Sequence, residues 1–145
     1  MHRVSVQSGR ASFQIPMLAF LVVTGLGGLG RDPTPNIDRA FGSWSVVFYA
    51  ALGLSAAIAL VGVLMTRPTV PRLRTALSVE WAGLVMLASS SAAYTAANII
   101  WSGWAAWVAT GFTVGIAAGS IWRCVEIGRD LSRLAKLPAV DRGEA

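Results

Sequence analysis

The stretch Trp44 to Met65, WSVVFYAALGLSAAIALVGVLM, runs for 22 residues with no ionisable side chain other than Tyr49. As an α-helix it extends about 33 Å at 1.5 Å per residue, the thickness of a hydrocarbon core of roughly 30 Å. A helix in a water-soluble bundle keeps a polar face, and this one has none. It reads as a transmembrane span.

Working outward, three more apolar runs have the same character. Residues 13–29 are apolar apart from Gln14 and Thr24, 77–101 carry Glu80 near their start, and 104–122 end where Arg123 enters. The four spans are expected at about 13–29, 44–65, 77–101 and 104–122. Residues 1–12 form a polar leader, and residues 123–145 an amphipathic helix followed by an unstructured tail after Pro138. The segment Arg31–Ser43, with Pro33, Pro35 and Asn36, has loop chemistry. Thr66–Arg74 holds two prolines that break a helix and three arginines that lipid does not accept. Only Ser102 and Gly103 separate the last two spans, which makes them a tight antiparallel hairpin. A cleaved export signal competes with the first span, since a basic leader precedes a short apolar core. The glycines that follow do not form a cleavage site of the A-x-A kind, which favours a retained helix.

The whole chain of 145 residues agrees: 54% are hydrophobic and 13% charged, against about a quarter charged in ordinary globular chains. Lys and Arg outnumber Asp and Glu by 12 to 7, but they lie between apolar runs, which points to lipid and away from nucleic acid. The single cysteine, Cys124, rules out an internal disulfide and a thiolate metal cluster. The single histidine, His2, sits in the leader, so a histidine metal site or general base lacks its residues. No catalytic residue, cofactor or metal is expected.

Orientation follows from the positive-inside rule. The leader (Arg3, Arg10), the middle loop (Arg67, Arg72, Arg74) and the tail (Arg123, Arg129, Arg133, Lys136, Arg142) share one side, and only Arg31 and Arg39 occupy the other. Both termini are therefore expected in the cytoplasm. Trp44, Trp101 and Trp104 fall at the outer boundary, Trp81 and Trp122 at the inner one, as indole rings prefer. Trp107 either reaches up to that belt or packs inside.

Gly111, Gly115 and Gly119 place two overlapping G-x-x-x-G steps on the fourth span, a groove in which a second helix can approach closely. Ala88, Ala92 and Ala96 form a small-residue line on the third span. The expectation is that these two lines pack on each other within one chain, a dimer seam being the other reading. Ser91, Thr95 and Asn98 are spaced by four and three, giving a polar stripe that either lines a wet path or, more plainly, bonds within the helices. Glu80 is expected to reach the interface or to pair with Arg74 or Arg123. In the tail, Ile127, Leu131 and Leu134 oppose Arg129, Arg133 and Lys136, so Arg123, Arg129, Arg133 and Lys136 are read as contacts with the anionic inner leaflet.

The run Val79-Glu80-Trp81-Ala82-Gly83-Leu84, with Ile121-Trp122-Arg123 and Glu126-Ile127-Gly128-Arg129-Asp130-Leu131, resembles small four-span membrane proteins of actinobacterial phages, some of them regarded as holins. The likeness covers mainly the second half of the chain. It implies a protein of the host cytoplasmic membrane that homo-oligomerises and permeabilises the bilayer during lysis. The alternative is a non-conducting accessory subunit that binds a protein partner through its cytoplasmic loop or tail. A small-solute transporter ranks last, because no ionisable substrate site is read within the spans.

Overall fold

The computed structural model describes residues 11–65 and 70–135. Five α-helices make up the described chain: α1 Ala11–Gly28, α2 Pro35–Phe41, α3 Ser45–Met65, α4 Val70–Ser102 and α5 Trp107–Ala135, with 3-10 turns at Gly42–Trp44 and Gly103–Ala106. Stretches Pro35–Met65, Leu73–Ser102 and Trp107–Arg133 are each long and apolar enough to cross a bilayer, while Phe13–Gly28 is a shorter apolar helix. Large apolar side chains such as Phe20, Leu54, Ile100 and Phe112 point away from the protein, and the interior holds Leu18, Ala56, Ala59, Leu84 and Leu87. Large apolar side chains turned outward, with alanines and glycines at the helix contacts, suit lipid as solvent. The chain is a helical membrane protein.

The main packing runs in sequence, α1 on α3, α3 on α4 and α4 on α5, which lays the long helices in an open row. Glycines set the crossings. A Cβ on Gly25 would strike the backbone of Gly53, one on Gly28 the ring of Tyr49, one on Gly62 the backbone of Glu80 and one on Gly83 the backbone of Ala59. The inward line of α4 comprises Leu77, Glu80, Leu84, Leu87, Ser91 and Asn98, all buried. Its alternating steps of three and four, with Tyr94 completing the series, give the 3.5-residue period of helices crossing at a shallow left-handed angle. Helix α5 turns Ile116, Ser120 and Ile127 inward.

Several expected boundaries move. Helix α4 starts at Val70, seven residues before the expected span, because Pro71 lies in its first turn, where the missing N–H costs no hydrogen bond. The outer segment expected as a loop contains α2, opened by Pro35 in its first turn and closed by Gly42 at φ +52°. Here too a proline starts a helix rather than breaking one. Helix α5 begins at Trp107 after a 3-10 turn that Gly103 opens at φ +52°, and the expected hairpin with α4 is present.

The segment expected as an amphipathic helix beyond residue 122 is helical as far as Ala135 and is joined to the preceding span. Helix α5 continues unbroken to Ala135, with Ile127 fully buried and Leu131 packed on the same core. Ile127 and Leu131 therefore face the rest of the chain, and among the described residues this segment is a continuation of α5. Residues 1–10 of the leader, 66–69 of the middle loop, and the tail from Lys136 onward lie outside the described residues.

Candidate functional site

Four helices meet at Glu80. The side chain is 1% exposed, and its carboxylate Oε1 accepts two hydrogen bonds, from Arg123 Nε at 2.9 Å and from Gln14 Nε2 at 3.0 Å. Arg123 comes from α5 and Gln14 from α1, while Gly62 of α3 lies against the Glu80 backbone. Arg123 Nη1 also donates to Glu126 Oε2 at 3.3 Å, and Glu126 Oε1 accepts from Trp122 Nε1 at 3.2 Å. The other carboxylate oxygen of Glu80, Oε2, is buried without a hydrogen-bond partner.

The local sequence explains the convergence. Glu80 occupies the inward line of α4, so its Cβ points at α3, and only a glycine at position 62 lets that helix approach so closely. Arg123 follows Ile116 and Ser120 by seven and three residues, on the inward face of α5. Gln14 lies four residues before Leu18 on the buried face of α1. Trp81 stands beside the node, and the 20 residue steps from Trp81 to Trp101 rise about 30 Å, one hydrocarbon thickness. The node thus lies at one end of the row, inside the protein. Of the two roles expected for Glu80, pairing with Arg123 is the one found, and Arg123 is turned into the bundle.

A second polar layer lies at the far end of α4. Asn98 is buried, and its Oδ1 accepts from Asn36 Nδ2 of α2 at 2.9 Å. Asn98 Nδ2 and Thr110 Oγ1 are buried without partners. One turn inward, the hydroxyls of Thr95 and Thr113 share a hydrogen bond of 2.7 Å. Phe48 stacks on Phe41 at 5.1 Å and on Tyr94 at 6.0 Å, holding α2 and α3 to α4. The expected stripe therefore divides. Ser91 and Asn98 lie on the inward line of α4, with Asn98 bonded to α2, and Thr95 faces α5. The neighbouring hydroxyls of Ser89 and Ser90 bond the carbonyls of Val85 and Met86, four residues earlier in their own helix.

Gly111, Gly115 and Gly119 face outward, with nothing within 4 Å of where a Cβ would stand. Ala92 and Ala96 are exposed and Ala88 is half-buried, so the expected packing of these two small-residue lines within one chain does not occur. Ile116, Ile127 and the Arg123–Glu80 pair rotate the other face of α5 inward. Trp107 is 67% exposed, which excludes packing inside. Arg129 is exposed, and Arg133 is exposed beside Asp130 at 3.5 Å. Among the described residues no group of three or more metal-ligating side chains forms.

The sequence reading missed Gln14 as a partner of Glu80, although it was one of two polar residues in an apolar run. It also missed Gly25, Gly53, Gly62 and Gly83, whose spacing forms no G-x-x-x-G step. No family model matches the chain, and no curated protein or solved structure matches it either. Fold and site define a class, a helical membrane protein with a buried ion-pair node where its long helices converge.

Proposed function

We propose that the chain is a four-span protein of the bacterial cytoplasmic membrane, with both termini cytoplasmic, that associates laterally and permeabilises the bilayer in the manner of phage holins. The carrying observation is the state of α5. It is the last helix of the row, and its Gly111, Gly115 and Gly119 face is bare. In lipid a bare glycine groove gains dispersion contacts when another helix fills it.

A retained first span is supported by α1 itself. Its 18 residues reach about 27 Å, Leu18 and Leu21 are buried in the core, and Gln14 bonds Glu80. The orientation rests on the arginine distribution. Closed around its node, the row pairs Glu80 with Arg123 inside the protein, which suits a monomer that accumulates without harm.

The experiment is inducible expression in a bacterial host with a potential-sensitive dye. Abrupt depolarisation and growth arrest after a delay are expected, together with a ladder of homo-oligomers on crosslinking. Abundant membrane protein without depolarisation counts decisively against the proposal. One observation favours the accessory-subunit reading: α4 and α5 extend past Trp81 and Trp122 by 11 and 13 residues, about 17 and 20 Å, and carry exposed Arg74, Arg129 and Arg133. A single defined heteromer on crosslinking would establish that reading instead.

A further inference from the structure

The Glu80 node has the energetics of a switch. A buried ion pair gains Coulomb energy and loses the hydration of both ions, so its net worth is close to even. The orphaned Oε2 shifts the balance further toward opening, because a buried acceptor without a donor is a standing cost. Removing one partner is different: without Arg123 the buried Glu80 carboxylate keeps only the neutral Gln14 donor, and without Glu80 the Arg123 guanidinium loses its buried counter-ion and keeps its contact with Glu126. A contact of this kind specifies one arrangement without holding it deeply, which is the requirement for an element with two states.

The rest of the α4–α5 seam leaves the node in control. In lipid, apolar contacts between helices can be replaced by contacts with acyl chains, so Ile116 contributes little to holding α5. The contacts that lipid cannot replace include Thr95 with Thr113 and Glu80 with Arg123. On the other side, Gln14 ties α1 to the same carboxylate oxygen.

We propose that Glu80, Arg123 and Gln14 form a latch that holds α1 and α5 against the α3–α4 pair, and that its opening frees α5 to leave the row and meet other copies. The consequence for assembly rests on the lytic reading above, whereas the latch itself does not. Timing of permeabilisation is then set by this contact.

Cys124, the only cysteine of the chain, reports the seam directly: it is half-buried, with Sγ 3.9 Å from the carbonyl oxygen of Trp81. The full chain in native membranes is labelled with a small uncharged maleimide. Glu80→Gln and Arg123→Gln are each expected to raise the labelling rate about tenfold or more. The double variant, which leaves no charge at either position 80 or position 123, is expected within about threefold of the unaltered chain. Asp130→Asn, which alters only the surface pair with Arg133, is expected to change nothing. Unaltered labelling in both single variants, or a double variant whose effect is the product of the two, overturns the latch. If neither single variant accumulates in the membrane, recovery of the double variant supports the latch and its loss overturns it. A chain that labels as expected but never depolarises cells removes the lytic reading alone. Early depolarisation by Glu80→Gln with unchanged labelling removes the latch alone.

Discussion

Replacing Gly62 with alanine puts one methyl group where α3 crosses α4. A Cβ at that position stands 2.5 Å from Glu80 Cα and 2.7 Å from Glu80 Cβ, whereas two carbons at rest lie about 3.5–4.0 Å apart. Neither neighbour is the tip of a flexible side chain, so the helices must separate by about 1 Å. Overpacking of this kind costs about 1–3 kcal/mol. At a factor of ten for every 1.4 kcal/mol, that is roughly a 5- to 150-fold fall in the ratio of folded to unfolded protein. The displaced residue is Glu80 itself, so the Arg123 contact loosens with the crossing. Gly115→Ala is the control. It adds the same methyl group in open space, and the gain in helix propensity, up to about 1 kcal/mol, applies at both positions. The difference between the two variants therefore isolates the crossing. Titration of the purified protein in mixed micelles with sodium dodecyl sulfate, followed by tryptophan fluorescence, reads it. Gly62→Ala unfolding at the same detergent fraction as Gly115→Ala would refute the reasoning.

Three further outcomes are expected. Asn36→Ala leaves buried Asn98 without its amide donor and should cost about 1–3 kcal/mol in the same titration, with no effect on Cys124 labelling at the opposite end. Ile127→Ala opens a cavity where α5 continues past Trp122 and should cost about 2–5 kcal/mol, whereas Arg129→Ala should stay within about 0.5 kcal/mol; equal effects would mean that this part of α5 is not packed. Gly115→Leu fills the bare groove and should abolish the homo-oligomer ladder in crosslinked membranes while leaving the detergent titration unchanged, and a ladder that persists excludes this face as the seam.

Span length and composition made the long helices legible, since 20 or so apolar residues without charge have few alternatives to a membrane helix. The α4–α5 hairpin was legible from the brevity of its connection, and Arg123 as one of two arginine partners open to Glu80 from the cost of leaving a carboxylate alone near a span. Rotation about the helix axis was not. A helix apolar on every side has no polar face to orient it, so the spacing of Gly111, Gly115 and Gly119 announces a groove without saying which way it opens. Isolated Gly25, Gly53, Gly62 and Gly83 make the close crossings because each meets a neighbour's backbone, a property of pairs that one helix's spacing does not carry. The two helix starts escape the pattern for one reason: Pro35 in a loop-like segment and Pro71 beside Pro68 signal interruption, although a proline in a first turn gives up no hydrogen bond. The continuity of α5 was hidden in turn because the opposition of Ile127 and Leu131 to Arg129 and Arg133 has the same period whether the apolar stripe meets lipid or, as here, the rest of the chain.

Whether α1 crosses the bilayer decides between three spans and four, and so determines where the two ends of the chain lie. Fusing a cytoplasm-active fluorescent reporter or an export-active phosphatase before Met1, and separately after Ala145, measures this directly. The account predicts fluorescence and no phosphatase activity at both positions. Phosphatase activity at one end with fluorescence at the other would mean an odd number of crossings and would contradict it.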